Sequence, residues 1–252
     1  MTLNYKQIPY KESFLSYPDI ASFAAQNGIA PDDGYNPPRA TLPAILHYDD
    51  NGKVLVAMSN SIDIARYLDK ICPDCPVLSS SSADWSNASE AYWYAFRQIL
   101  NGCWRPGYPI VIPTIPSILD DRGSAWFIRD RQASDDQKRS PLDWGSPDPA
   151  DDWKPFSKGL QALAKSMTHT SDSAPFLLGA KPCYADFALA SFIAWYQRGS
   201  EDNFQKMIEV TGGNQGALAR HYRMSEKWVL GQGEVVEWKV ENREPNSPAS
   251  KM

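Results

Sequence analysis

The sequence predicts an α/β plus all-α chain, with a small mixed domain over residues 1–80 and an all-helical domain over 84–240. Three observations predict it. A strand, an Asn-Gly turn and a second strand read as a hairpin between Leu42 and Ala57. From Ala83 onward, apolar residues recur at spacings of three and four. A length of 252 residues suits one large domain or two small ones, with a sizeable core.

The elements follow in order. Lys6 to Phe14 reads as an extended segment. Pro18 to Asn27 carries Ile20, Phe23 and Ala24 at helical spacing, and Gly28 ends that short helix. Pro31 to Arg39 is a loop rich in Pro, Asp and Gly. Leu42–Leu46 and Lys53–Ala57 are the hairpin strands around Asn51-Gly52. A helix opens near Asn60 or Ser61, places Ile64, Tyr67, Leu68 and Ile71 on one apolar face, and stops at Pro73. Trp85, Ala88, Tyr92, Ala95, Phe96, Ile99 and Cys103 share one face of a long helix. Four prolines between Arg105 and Pro116 are expected to interrupt it. Ser117–Gln132 resumes helix, and Ser134–Pro155 reads as a polar loop. Phe156, Leu160, Leu163 and Met167 form another stripe. Asp186–Gln197 is a mostly apolar, hence buried, helix. Gln215–Leu230 is a further helix, and Glu244–Met252 is a frayed tail.

Thirty acids against twenty-five bases give a net charge of −5. That argues against nucleic acid and against a polybasic membrane surface as partners. The most apolar run, Phe187 to Tyr196, is about half the length of a spanning helix. The N-terminus has no apolar signal core, and four cysteines make no disulfide framework. A reduced, cytoplasmic compartment is the expectation. Asn87-Ala88-Ser89 matches a glycosylation sequon, a pattern short enough to recur by chance.

Two features point to a ligand. Pro43 opens a strand, which is tolerated where its missing N–H is not needed. A trans Pro43 on an edge strand is one reading. A cis Leu42–Pro43 bond is the other; it would turn the backbone groups of Leu42 outward, where an extended peptide could pair with them. The second feature is Ser59-Asn60-Ser61-Ile62-Asp63. Asn60 or Ser61 can cap the helix, with Asp63 placed as in a capping box. The same helix N-terminus, with the Ser61 hydroxyl, can also hold a carboxylate, while the Asn60 amide oxygen faces an ammonium beside it. An α-amino-acid end suits that pair.

In combination these stretches resemble the glutathione transferase superfamily, and more closely the fungal etherase-like transferases and transferase-like proteins of secondary-metabolite clusters. The resemblance is carried by Leu3-Asn4-Tyr5-Lys6-Gln7-Ile8-Pro9-Tyr10-Lys11, Tyr17-Pro18-Asp19-Ile20, Thr41-Leu42-Pro43-Ala44-Ile45, the run Ser59 to Asp69, Arg122-Gly123 with Trp126-Phe127, and Tyr184-Ala185-Asp186-Phe187, in that order. It implies a thioredoxin-like N-terminal domain followed by a helical bundle, with glutathione as cosubstrate and a homodimer as the assembly. It implies a cis Pro43, Leu42 pairing with the cysteinyl part of glutathione, and Asn60 and Ser61 holding its γ-glutamyl end. It gives Asp186 a structural role at the start of a buried helix, where Cys183 replaces the usual Ser or Thr cap. It places a pocket for an apolar or aromatic electrophile along the first long helix, for which Tyr92, Phe96 and Tyr108 are the candidates.

The sequence departs from the family in two places. Asn60 stands where members carry Asp or Glu, so a charge-assisted bond to the glutathione ammonium is lost. The family's first strand and the serine turn that activates the thiol have no counterpart before Met1, which falls near the end of the family's first helix. The strand after Lys6 is therefore expected to lack a neighbour, and no residue is assigned to thiol activation. An incomplete N-terminus and a loss of catalysis both fit. The function expected is conjugation of glutathione to an aromatic electrophile or cleavage of an aryl ether. The alternative is a non-catalytic, ligandin-like binding protein.

Other candidates carry less. Cys72-Pro73-Asp74-Cys75 has redox spacing, but Cys72 falls at a helix C-terminus, where the dipole disfavours the thiolate. No second Cys pair or His pair completes a metal site. His47, His169 and His221 are scattered. Arg122, Arg129, Arg131, Lys138 and Arg139 alternate with acids and read as a solvated face.

Overall fold

The computed structural model describes residues 1–35, 37–78 and 88–238. Trp85 of the long-helix stripe, the sequon residue Asn87 and the tail from Glu244 lie outside the described residues.

The chain opens with α1 (Thr2–Lys6), which ends at Gln7 in the left-handed region, φ 55. Of the extended segment expected from Lys6 onward, only β1 (Lys11–Glu12) forms a ladder. Its expected lack of a neighbour is corrected by the fold. The distant segment β4 (Glu234–Val235) runs parallel to it. Glu234 N donates to Tyr10 O at 3.3 Å, and Val236 N donates to Glu12 O at 2.8 Å. The Ser13 hydroxyl donates to Val236 O at 2.7 Å. Open strand edges leave polar backbone groups unmet, and the returning chain meets them here.

A 3₁₀ turn at Tyr17–Asp19 leads into α2 (Ile20–Gln26), with Gly28 beyond it at φ 65. The hairpin is β2 (Ala44–Tyr48) with β3 (Val54–Ser59), antiparallel and with an irregularity at His47/Tyr48. Helix α3 (Ser61–Ile71) follows directly and ends at Cys72. Phe23, Ala24 and Ile29 form a small core here, joined by Leu46, Ala57 and the remote Trp238. Trp238 meets Phe23 edge-on, ring centroids 5.3 Å apart.

The rest is helical. Helix α4 (Ala88–Val111) runs through Pro106 and Pro109, and a 3₁₀ stretch at Ile112–Ile118 continues it. The expected interruption is thus displaced past two prolines. The buried face Phe96, Leu100, Cys103, Gly107 and Ile110 carries the helix across them, because its packing outweighs the lost main-chain bonds. Helix α5 (Asp121–Ser134) follows; its Arg122 is not simply solvated but forks onto the buried Asp19 carboxylate at 2.8 and 2.9 Å. Helix α6 (Pro149–Ser166) begins inside the expected loop, capped by the Asp148 carboxylate on Ala150 N. Gly159 lets it approach α4 closely: a Cβ there would lie 2.8 Å from Gly102 O. Helices α7 (Tyr184–Gly199), α8 (Glu201–Val210) and α9 (Ala217–Ser225) complete the bundle. The stripe Phe156, Leu160, Leu163 and Met167 is fully buried. Sequence periodicity did not single out α8, although Ser200 caps it through Asn203 N and acids fill its first turn.

Candidate functional site

The hairpin register builds the site. Ala44 pairs with Ser59, so Leu42-Pro43, just before one strand, lies beside Asn60-Ser61, just after the other. The Leu42–Pro43 peptide is cis. Leu42 lies just outside the ladder and, taken as a whole residue, is 43% exposed. The structure therefore brings Leu42, Pro43, Asn60 and Ser61 to one end of the hairpin.

Asn60 is the hinge of this end. It sits at φ 73, ψ 114, a left-handed backbone that Asn tolerates better than most residues. Its Oδ1 accepts from Ile62 N at 3.2 Å, which caps α3. Its Nδ2 donates to Asp32 Oδ2 at 3.3 Å. Asp63 does not complete a capping box; it pairs with Arg66, which also binds Glu90 and the Tyr94 hydroxyl. Ser61 is exposed, and its Oγ accepts from the Tyr184 hydroxyl at 2.8 Å. Burial pushes the Tyr184 hydroxyl above its ordinary range, so at neutral pH it remains a donor.

Tyr184 is placed by the start of α7. Its backbone N–H donates to Val77 O at 2.9 Å, and its ring stands edge-on to Trp93 at 5.1 Å. Asp186, with no exposed surface, accepts from Leu177 N, from Cys183 N and from His221 Nε2 at 2.8 to 2.9 Å. The carboxylate thus fixes the turn on which Tyr184 sits. Burial and the neighbouring Asp186 push the Cys183 thiol far up, so it is inert.

The three pocket candidates do not sit together. Tyr92 and Phe96 stack with centroids 5.8 Å apart, but Phe96 is only 2% exposed and belongs to the interior. Burial pushes the Tyr92 hydroxyl up to about 12. Tyr108 lies about 24 Å further along α4 at 1.5 Å per residue, edge-on to Trp195. A separate cleft of about 220 Å³ opens between α7 and α9, against Gln197, Arg198, Tyr222 and Glu226.

The C-x-x-C loop is held from outside. The buried Lys6 ammonium donates to Cys72 O at 2.7 Å and Cys75 O at 2.8 Å, and pairs with Asp69 at 2.9 Å. All three of its protons are used. Cys72 and Cys75 are free thiols. Among the described residues, no group of three or more His, Cys, Asp or Glu side chains is placed to hold a metal ion.

Two site residues escaped sequence reasoning. Asp32 lay in a loop recognisable only by its turn composition. Tyr184 opens the run Tyr184-Ala185-Asp186-Phe187, in which the resemblance gives a role to Asp186 alone.

The fold and the paired features at the hairpin end define a thioredoxin-like domain followed by a helical bundle. Comparison with known proteins carries this to a family. The family model described as the glutathione S-transferase C-terminal domain matches residues 88–228. A glutathione S-transferase-like protein, ustS, of Aspergillus flavus is 32% identical over 248 residues, covering 95% of this chain and 86% of the relative. Two solved glutathione S-transferases of Ceriporiopsis subvermispora, CsGST63524 and CsGST83044, each in complex with glutathione, superimpose with a TM-score of 0.74. They are 29% and 26% identical and cover 92% and 90% of this chain, which spans 89% and 88% of theirs. The chain belongs to the glutathione S-transferase family. Among the described residues, no helix is long and apolar enough to cross a membrane.

Proposed function

We propose that this chain binds glutathione at the hairpin end and offers its thiol to an apolar, aromatic electrophile. Leu42 pairs with the cysteinyl backbone, and Ser61 with the α3 N-terminus receives the γ-glutamyl carboxylate. In conjugation, the glutathione sulfur bonds to an electrophilic carbon and displaces its leaving group. In aryl ether cleavage, the same attack breaks a C–O bond and releases a phenolate. The single observation that carries the reading is the Ala44–Ser59 register, which puts the exposed residue Leu42, outside the ladder, beside the opening of α3. The two solved relatives with glutathione bound support the choice of ligand.

The test is retention on immobilised glutathione, followed by turnover of a nitro-substituted aryl chloride. Retention with turnover is expected. Retention without turnover would make the chain a binding protein. A chain that neither binds nor turns over would overturn the proposal.

A further inference from the structure

Asn60 is awkward as a partner for an ammonium group. It carries no charge, its Oδ1 already accepts from Ile62 N, and its Nδ2 is a donor. Yet a carboxylate stands at the same place. Asp32 Oδ2 accepts from Asn60 Nδ2, and Asp32 reaches there from a different part of the chain, the loop after α2. That loop is closed at its base: Asp32 N donates to Arg39 O at 2.9 Å, and Arg39 N donates to Asp32 O at 3.3 Å. Asp32 Oδ1 accepts from Gly34 N at 2.9 Å, which fixes the side chain. The carboxylate is therefore held in position by the backbone on one side and presented to Asn60 on the other. It is half-buried, so an arriving cation would be only partly screened by water.

We propose that Asp32 supplies the negative charge that Asn60 lacks and binds the α-ammonium of the γ-glutamyl end. This rests on the glutathione reading above. Asn60 then acts as a neutral spacer: it caps α3 with one end of its amide and steadies Asp32 with the other. The site presents a carboxylate for the ammonium and, through Ser61 and the α3 N-terminus, donors for the carboxylate. It would therefore select a free α-amino acid terminus over an acylated or deaminated one.

The experiment is calorimetric titration of the wild-type chain and its variants with two ligands: glutathione, and its des-amino analogue, in which hydrogen replaces the ammonium. Asp32→Asn keeps an acceptor for Gly34 N but removes the charge and, with it, the acceptor for Asn60 Nδ2. It is expected to weaken glutathione binding about tenfold or more while leaving the analogue unchanged. Adding Asn60→Asp to that variant moves the charge to the neighbouring position and is expected to restore most of the lost affinity. A purely structural role for Asp32 would weaken both ligands alike, and Asn60→Asp, which re-forms the 32–60 hydrogen bond with donor and acceptor exchanged, would then restore both alike. Equal weakening, wild-type affinity in Asp32→Asn, or no rescue would each overturn the inference. A wild-type chain that binds the two ligands equally would also overturn it, with the glutathione reading left standing. A wild-type chain that binds neither would overturn that reading, and this inference with it. The analogue is measured on the same folded samples, so a general loss of stability cannot imitate the expected pattern.

Discussion

The helical region and the N-terminal region are held together by different means. The helical core is large and closes on itself: Phe156, Leu160, Leu163, Met167, Leu189 and Ile193 have no exposed surface. Among the described residues, the N-terminal region has two small apolar clusters: Phe23, Ala24 and Ile29 around α2, and Ala65, Val77 and Leu78, which pack against Tyr184 and Phe187 of the bundle. They are supplemented by polar ties and by chain from elsewhere: the Lys6–Asp69 pair, the Asp19–Arg122 fork, and β4 with Trp238. A small unit with little apolar interior borrows its stability. The proposed ligand site stands where the two regions meet, with Ser61 on one side and Tyr184 on the other.

The contrast can be broken by mutation. The largest effect is expected in the helical core, where Phe156→Ala should cost about 3–5 kcal/mol, read as a lowered urea midpoint. In the N-terminal region Lys6→Ala removes the ammonium opposite the Asp69 carboxylate and should cost about 3 kcal/mol. Hydrogen exchange should localise that loss to α1 and the Cys72–Cys75 loop; a loss spread evenly over α4 to α9 would contradict the division. Trp238→Ala should cost about 1–2 kcal/mol through lost ring contact and burial and should speed amide exchange of the β1–β4 ladder. Tyr184→Phe breaks one bond between the regions and should cost only about 0.5–1 kcal/mol, with the helical core unaffected in exchange.

The last test has no effect at neutral pH. Burial pushes the Cys103 thiol and the Tyr92 and Tyr222 hydroxyls up to about 12, from 9.0 for the thiol and 10.0 for the hydroxyls. The folded state thus prefers their neutral forms, and the unfolded chain releases these protons first. Stability should be fully present below pH 9 and fall as pH rises from 9 to 12. Urea midpoints across that range should show the decline, and Cys103→Ala should delay its onset towards pH 10.

Local pattern revealed most of the helical region and little of what joins the regions. The stripe from Phe156 to Met167 was legible because a buried helix face writes itself at spacings of three and four. The start of α6 was missed because acids and prolines around Asp148-Pro149 read as loop, although an N-cap followed by Pro at N1 is itself a helix start. The hairpin and the opening of α3 were legible, since the Asn-Gly turn fixes the register that places Leu42 beside Ser61. The Asp32–Asn60 and Tyr184–Ser61 bonds were not, because residues 28 and 123 positions apart leave no shared periodicity. The β1–β4 pairing was hidden for the same reason: its strands are two residues long and carry no alternation to read.

That pairing sets an order of events on the ribosome. The partner of Lys11 and Glu12 leaves the exit tunnel about 220 residues after them, which at ordinary rates of synthesis is roughly 10–45 s. Throughout that wait the nascent edge is open to any other strand in reach. Translation speed and chaperone cover, rather than the final contacts alone, should decide how much of this protein is recovered in usable form.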